Sequence, residues 1–164
     1  MNGAAEPFAD QRSALSSDPM LESADERDAM HLALRAIVEG TATATGTEFF
    51  YALVRELARA LNVDNALVCE LLECQTRVRP LAFWSGGQFI ENTEFDLDGT
   101  PCEVVIRGET VYYTRKVYEM FPRNTELKEF GIESYFGVPL VSESGNKMLG
   151  HLAVYHNQPL AKEF

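Results

Sequence analysis

The densest grouping of chemically capable residues is Gly99-Thr100-Pro101-Cys102-Glu103. Thr100 as a helix N-cap, Pro101 at the first helical position and Glu103 three residues past the cap together spell a helix start. Cys102 then takes the second helical position, where unpaired N–H groups and the positive end of the dipole favour an anion such as a thiolate. Two kinds of chemistry follow: a redox-sensitive thiol, or a ligand oxygen held by the same N–H groups. Against the first, Glu103 is adjacent and negative, and no Lys or His lies close in sequence to lower the thiol further. Lining a pocket or plain packing is therefore the better reading of Cys102. The side chains of Thr100 and Glu103 can also satisfy part of the helix start themselves.

The other reactive types are sparse. Cys69, Cys74 and Cys102 are three in number, and their spacing fits neither a zinc knuckle nor a CxxC pair, which points to a reduced compartment. Cys69 reads as a small apolar residue on a buried strand. His151, in Gly150-His151-Leu152, lies mid-strand between apolar neighbours, so it either turns a nitrogen into a pocket or serves as a satisfied structural histidine. One histidine on a strand does not make a haem site. Asp96 and Asp98 lack the His or further carboxylate that would complete a metal site, and read as solvated loop charges. Nothing here requires a metal or cofactor, and no catalytic constellation is present.

The elements that must position these residues follow from periodicity. Residues 1–22 are rich in Ala, Ser and Asp without hydrophobic period, and read as a tail or linker ahead of a domain over residues 23–164. Ser23 with Glu26 makes a capping box, and Met30, Leu34 and Ile37 share one narrow helical face before Gly40. A second box, Thr45 with Glu48, opens a helix whose Phe49, Phe50, Leu53, Leu57 and Leu61 form a wide apolar face, with Asn62 suited to end it. Asn65 to Leu72 is apolar on both alternating sets apart from Glu70, the pattern of a strand covered on two sides. Arg77 to Ser85 pairs with it as a hairpin, and Phe89 to Leu97 supplies at most a short edge strand. After the helix from Thr100 to Gly108 comes a strand at Thr110 to Thr114. Lys116 to Phe130 reads as short helices broken at Pro122 and stopped by Gly131. Ser134 to Val141 and Lys147 to His156 flank a five-residue loop and form a hairpin. Hairpin-linked strands interrupted by short helices, with no repeated βαβ unit, predict an α+β fold on an antiparallel sheet.

Composition bounds the partners. A chain of 164 residues, 46% hydrophobic, is long enough for one domain with its own core. The net charge of −11 repels phosphate backbones and anionic membrane surfaces, so neither nucleic acid nor membrane is an expected partner. No apolar run approaches the roughly 20 residues that span a bilayer, and the acidic N-terminus lacks a basic region followed by an apolar one. A cytoplasmic location is expected.

Four segments carry a resemblance to a known family. They are Leu34-Arg35-Ala36-Ile37-Val38-Glu39-Gly40-Thr41, Gly99-Thr100-Pro101-Cys102-Glu103-Val104-Val105, Ser134-Tyr135-Phe136-Gly137-Val138-Pro139-Leu140 and Leu149-Gly150-His151-Leu152-Ala153-Val154. In order and spacing they resemble the GAF domains of bacterial sensor kinases, diguanylate cyclases and formate-responsive activators. The resemblance implies a five- or six-stranded antiparallel sheet, helices on one face, and short helices and loops roofing a small-molecule pocket on the other. It would bring Trp84, Thr100, Cys102, Glu103, Tyr113, Phe121, Tyr135 and His151 to that pocket, with Phe136 nearby, although each ring taken singly also suits a core.

The implied role is regulatory and not enzymatic: a ligand or conformational signal passed to an output domain. The family usually continues as a helix from about Pro159, so the chain is expected to be a piece of a longer signalling protein. The helix from Ser23 to Val38 has a seam suited to pairing in a homodimer. Two alternatives stand beside this reading, a ligand-free dimerisation or scaffold module and a thiol sensor centred on Cys102. Some specialised relatives are not matched. The cysteine of free methionine sulfoxide reductases and of bilin-binding members falls in a region equivalent to Arg123 to Ser134, which has none. The Asn-Lys…Phe…Asp-Glu signature of phosphodiesterase regulatory domains is also missing.

Overall fold

The computed structural model describes residues 32, 35, 38–91 and 93–160. The tail and most of the helix expected from Ser23 to Val38 lie outside them; residues 38–41 are helical. The helix runs one residue past Gly40, to Thr41, and a Cβ at Gly40 would fall 2.4 Å from the Glu56 side chain.

Helix α1, Thr47–Ala60, starts one step later than the Thr45 box predicts. Gly46 is the N-cap, with φ +59 and no side-chain cap, so Thr45 falls before the helix and cannot reach its first donors. The helix ends as expected at Asn62, in the left-handed region with φ 51. It lays Val54 and Ala58 against Ala66, Val68, Ala82 and Val154, flanked by Phe50, Tyr51, Leu57 and Leu61, while Phe49 stays exposed. Full burial of a residue such as Val54 contributes about 1.5–3 kcal/mol.

Among the described residues the sheet has seven strands: β1 Asn65–Leu71, β2 Arg77–Ser85, β3 Gln88–Phe89, β4 Phe95–Asp96, β5 Val111–Tyr113, β6 Ser134–Val141 and β7 Met148–His156. Their order is β3-β2-β1-β7-β6-β5, with β4 also on β2, and every pairing is antiparallel. The count exceeds the expected five or six because the segment after Gly87 yields two two-residue strands instead of one. β1 and β7 run side by side in the centre, which explains why β1 is apolar on both alternating sets: Ala66 and Val68 face α1, and Leu67 and Cys69 face the other way.

That second face is covered by three short helices: α2 Pro101–Ile106, α3 Val117–Met120 and α4 Thr125–Glu129. Cys102, Val105, Val117 and Leu127 from this roof meet Leu67, Cys69, Val111, Tyr135 and Ala153 from the sheet. The expected break near Pro122 separates α3 from α4, and Gly131, at φ 62, follows α4.

Candidate functional site

The start of α2 forms as its residue types dictate. Pro101 occupies the first turn, and the Thr100 hydroxyl accepts from the Glu103 N–H at 3.3 Å while donating to the Leu97 carbonyl at 2.6 Å. The Glu103 carboxylate accepts from the Gly99 N–H at 3.1 Å and also pairs with Arg107. These bonds occupy the Gly99 and Glu103 N–H donors, so Thr100 and Glu103 act here as caps.

Cys102 turns the other way, into the core. Its Sγ accepts from the Tyr135 hydroxyl at 3.3 Å, and burial pushes the thiol up to about 11. Cys69, below it on β1, is also buried and held well above its ordinary value, by burial first and by Cys102 second. At pH 7 the thiolate fraction of Cys102 is then on the order of 10⁻⁴, the reverse of what a reactive thiol needs. The helix start does not lower this thiol, because desolvation outweighs the hydrogen bonds that favour the anion.

Tyr135 is buried at the centre of an aromatic group. Its ring centroid lies 6.4 Å from Tyr155 with planes 15° apart and 6.4 Å from Tyr113, and Tyr113 lies 5.5 Å from Phe121. Phe83 adds a further ring 6.1 Å from Tyr155. Tyr113, Phe121 and Tyr135 are thus brought together on the roof face. Tyr155 and Phe83 belong with them and were not anticipated, although strand alternation from Ala153 places Tyr155 on this face.

Trp84 does not join them. It pairs in register with Ala66, whose side chain faces α1, and it packs edge-on against Phe89 at 4.9 Å. Phe136 alternates with Tyr135 and falls on the α1 face as well. Both rings belong to the opposite layer from the expected pocket.

His151 is on the roof face, in the row of β7 that also carries Ala153 and Tyr155. Its register partners are Cys69 on β1 and Pro139 on β6. It is fully buried, and neither ring nitrogen has a hydrogen-bond partner. Burial alone holds the imidazole down at about 4, so it is neutral at pH 7. The expected satisfied structural histidine is not what the structure contains. The two other buried polar residues among those described are satisfied: Asn65 bonds the Tyr155 carbonyl and Ser85, and Ser134 bonds the Gln158 carbonyl.

Besides its apolar packing, the roof is held by polar bonds at its rim. Arg123, between α3 and α4, makes two 2.9 Å bonds to Asp98, and its side chain packs on Gly99. Lys116, at φ 54, donates its backbone N–H to the Glu133 carboxylate at 3.0 Å. Asp96, on β4 and not in a loop, pairs with Arg77 at 3.2 Å, so both aspartates are exposed yet ion-paired.

An antiparallel sheet closed by a long helix on one side and by short helices over an aromatic interior on the other defines a two-faced α+β module. The GAF domain family model matches residues 45–164, and the chain belongs to that family of regulatory sensory domains. No curated protein sequence matches it. Among solved structures it is similar to the GAF domain of an Acinetobacter phosphoenolpyruvate-protein phosphotransferase, with 22% identity, a TM-score of 0.61, and coverage of 84% of this chain and 80% of that one. The corresponding domain from Coxiella burnetii gives 17% identity, a TM-score of 0.63, and coverage of 85% and 84%. The chromophore-binding domain of an R. palustris bacteriophytochrome gives 11% identity and a TM-score of 0.61, covering 84% of this chain and 56% of that one. At these identities the likeness is one of fold. Among the described residues, no helix is long and apolar enough to cross a membrane.

Proposed function

We propose that this chain is a signal-input module in which a small molecule, held between the sheet and α2–α4, alters the packing of the roof and so the activity of an output domain. The observation that carries this is the unequal closure of the two sheet faces. One is sealed by a 14-residue helix, the other by helices of six, four and five residues. Short helices have little stability of their own and depend on what they pack against, so a ligand beneath them has leverage over their position. Such leverage requires unequal affinity for two roof arrangements.

In this reading residues 23–164 form the sensory unit and residues 1–22 a linker. Two copies pair through the helix from Ser23 to Val38, and the output is a histidine kinase, a diguanylate cyclase or a transcription activator. The setting is cytoplasmic, in keeping with three free cysteines. The structural neighbours come from proteins as different as a phosphotransferase and a bacteriophytochrome, so the input fold does not choose the output.

The test is native mass spectrometry of protein purified without additives, followed by thermal shift and hydrogen exchange against a metabolite panel. The reading expects a retained or added small molecule that raises Tm and slows exchange in residues 99–131. If no compound changes either quantity, a ligand-free dimerisation module is the better account.

A further inference from the structure

We propose that His151 is the anchoring group of the roof-face site, and that the ligand it takes is a small uncharged molecule bearing a hydrogen-bond donor or acceptor, such as a primary amide or a neutral nitrogen heterocycle. The inference rests on the small-molecule reading above and narrows it. Among the described residues, His151 alone has buried side-chain polar atoms without a hydrogen-bond partner. Its neighbours do not serve it: Pro139 has no N–H, the buried Cys69 thiol makes no bond to either ring nitrogen, and the Cys102 Sγ accepts from Tyr135. A leucine would fill similar space without leaving two ring nitrogens dry, so packing alone does not account for an imidazole here.

The charge class follows from what is missing around it. No Lys, Arg, Asp or Glu is among the buried residues described. Of the charged groups around the roof and floor, Glu103 pairs with Arg107, Asp98 with Arg123 and Glu70 with Arg79, while Glu126, exposed on α4, adds to the rise of the Tyr155 hydroxyl but is not buried. A carboxylate, phosphate or ammonium group brought to His151 would be buried without a counter-charge, which costs far more than one hydrogen bond returns. The neutral imidazole offers one donor and one acceptor, the complement of an uncharged polar ligand.

Three probes of nearly one shape separate the charge classes: benzamide, benzoate and benzamidinium. With 15N-labelled protein at pH 7.5, benzamide is expected to move the ring-nitrogen signals of His151. It should also raise Tm by roughly 4 °C at ten times its Kd, and His151→Leu should abolish both effects. The nitrogen signals are read in the unmodified protein, so this arm does not depend on how the variant folds. A larger response to benzoate or benzamidinium overturns the uncharged class while leaving a small-molecule site standing. A benzamide response that persists in His151→Leu, ring signals that stay unmoved, or indifference to all three probes overturns the anchor. Failure of the broader reading has its own signature, silence across the whole metabolite panel.

Discussion

Replacing His151 by leucine should make the protein more stable and less sensitive to acid. The unfolded chain takes up a proton on this histidine at its ordinary value of 6.5, whereas burial holds the folded form down at about 4. Between those values the unfolded state binds more protons, so stability falls as pH drops through 6.5 and the loss levels off below 4. At about 1.4 kcal/mol per unit, the shift corresponds to roughly 3 kcal/mol of acid-dependent destabilisation. At pH 7.5, where the ring is neutral in both states, removing two unsatisfied nitrogens should add about 1–3 kcal/mol. Urea midpoints for the ligand-free parent and His151→Leu, taken from pH 7.5 to 4, give both quantities. The carboxylates common to the two proteins largely cancel in the difference. The expected result is a variant more stable at neutral pH, with a gap that widens by roughly 3 kcal/mol toward pH 4. Parallel pH curves, together with a variant destabilised at pH 7.5, would refute the reasoning, because they would mean that the imidazole has a partner in solution.

Three further predictions concern packing and thiols. Gly137→Ala places a Cβ 2.6 Å from Val105 Cγ2 and 2.8 Å from the Tyr135 ring, so the packing of Val105 and Tyr135 must shift; a loss of about 1–3 kcal/mol is expected in chemical denaturation. In Gly150→Ala the new Cβ falls 1.8 Å from the Cys69 carbonyl oxygen, a backbone atom between two central strands, and circular dichroism should show no cooperative native state. Under native conditions iodoacetamide should label exposed Cys74, whose thiol is lowered by the Thr76 hydroxyl bond, and leave buried Cys69 and Cys102 unmodified; rapid labelling of Cys102 would revive the thiol-sensor alternative.

The legible parts of the sequence were those governed by local rules. The Thr100-Pro101-Glu103 start, the Asn62 stop and the hairpin of β6 and β7 depend on φ preferences and near-neighbour hydrogen bonds, and they formed where those rules place them. Thr45 failed because Gly46 supplied a competing turn one residue later, a choice that cap chemistry alone does not decide. The faces of the rings were harder still. Tyr135, Tyr113 and Phe121 converge while Trp84 does not, and the difference lies in register: Trp84 is paired with Ala66 across β1 and β2, and that pairing has an irregularity between Val68 and Cys69. The state of His151 was out of reach for the same reason. Periodicity can put a histidine on a strand, but whether a partner waits beside it depends on which residues the neighbouring strands bring, here Cys69 and Pro139.

The segments that carried the family resemblance owe their glycines to space and not to backbone freedom. Neither Gly137 nor Gly150 has a positive φ, so an L-residue could adopt either backbone conformation. What they lack is room. Gly150 lets β7 close on the Cys69 carbonyl of β1, and Gly137 lets Val105 of α2 and the ring of Tyr135 settle on β6. Gly137 pairs with Ala153, so two small residues make a low point in the floor under α2. His151, one step along the same row from Ala153, stands at the border of that low point. A ligand that engages His151 therefore acts beside the contact that seats α2. From α2 the Asp98–Arg123 pair at the start of the helix leads to α3 and α4. One sheet register and one ion pair link His151 to the roof, and under the proposed reading this is the route by which a small molecule changes how the roof is held.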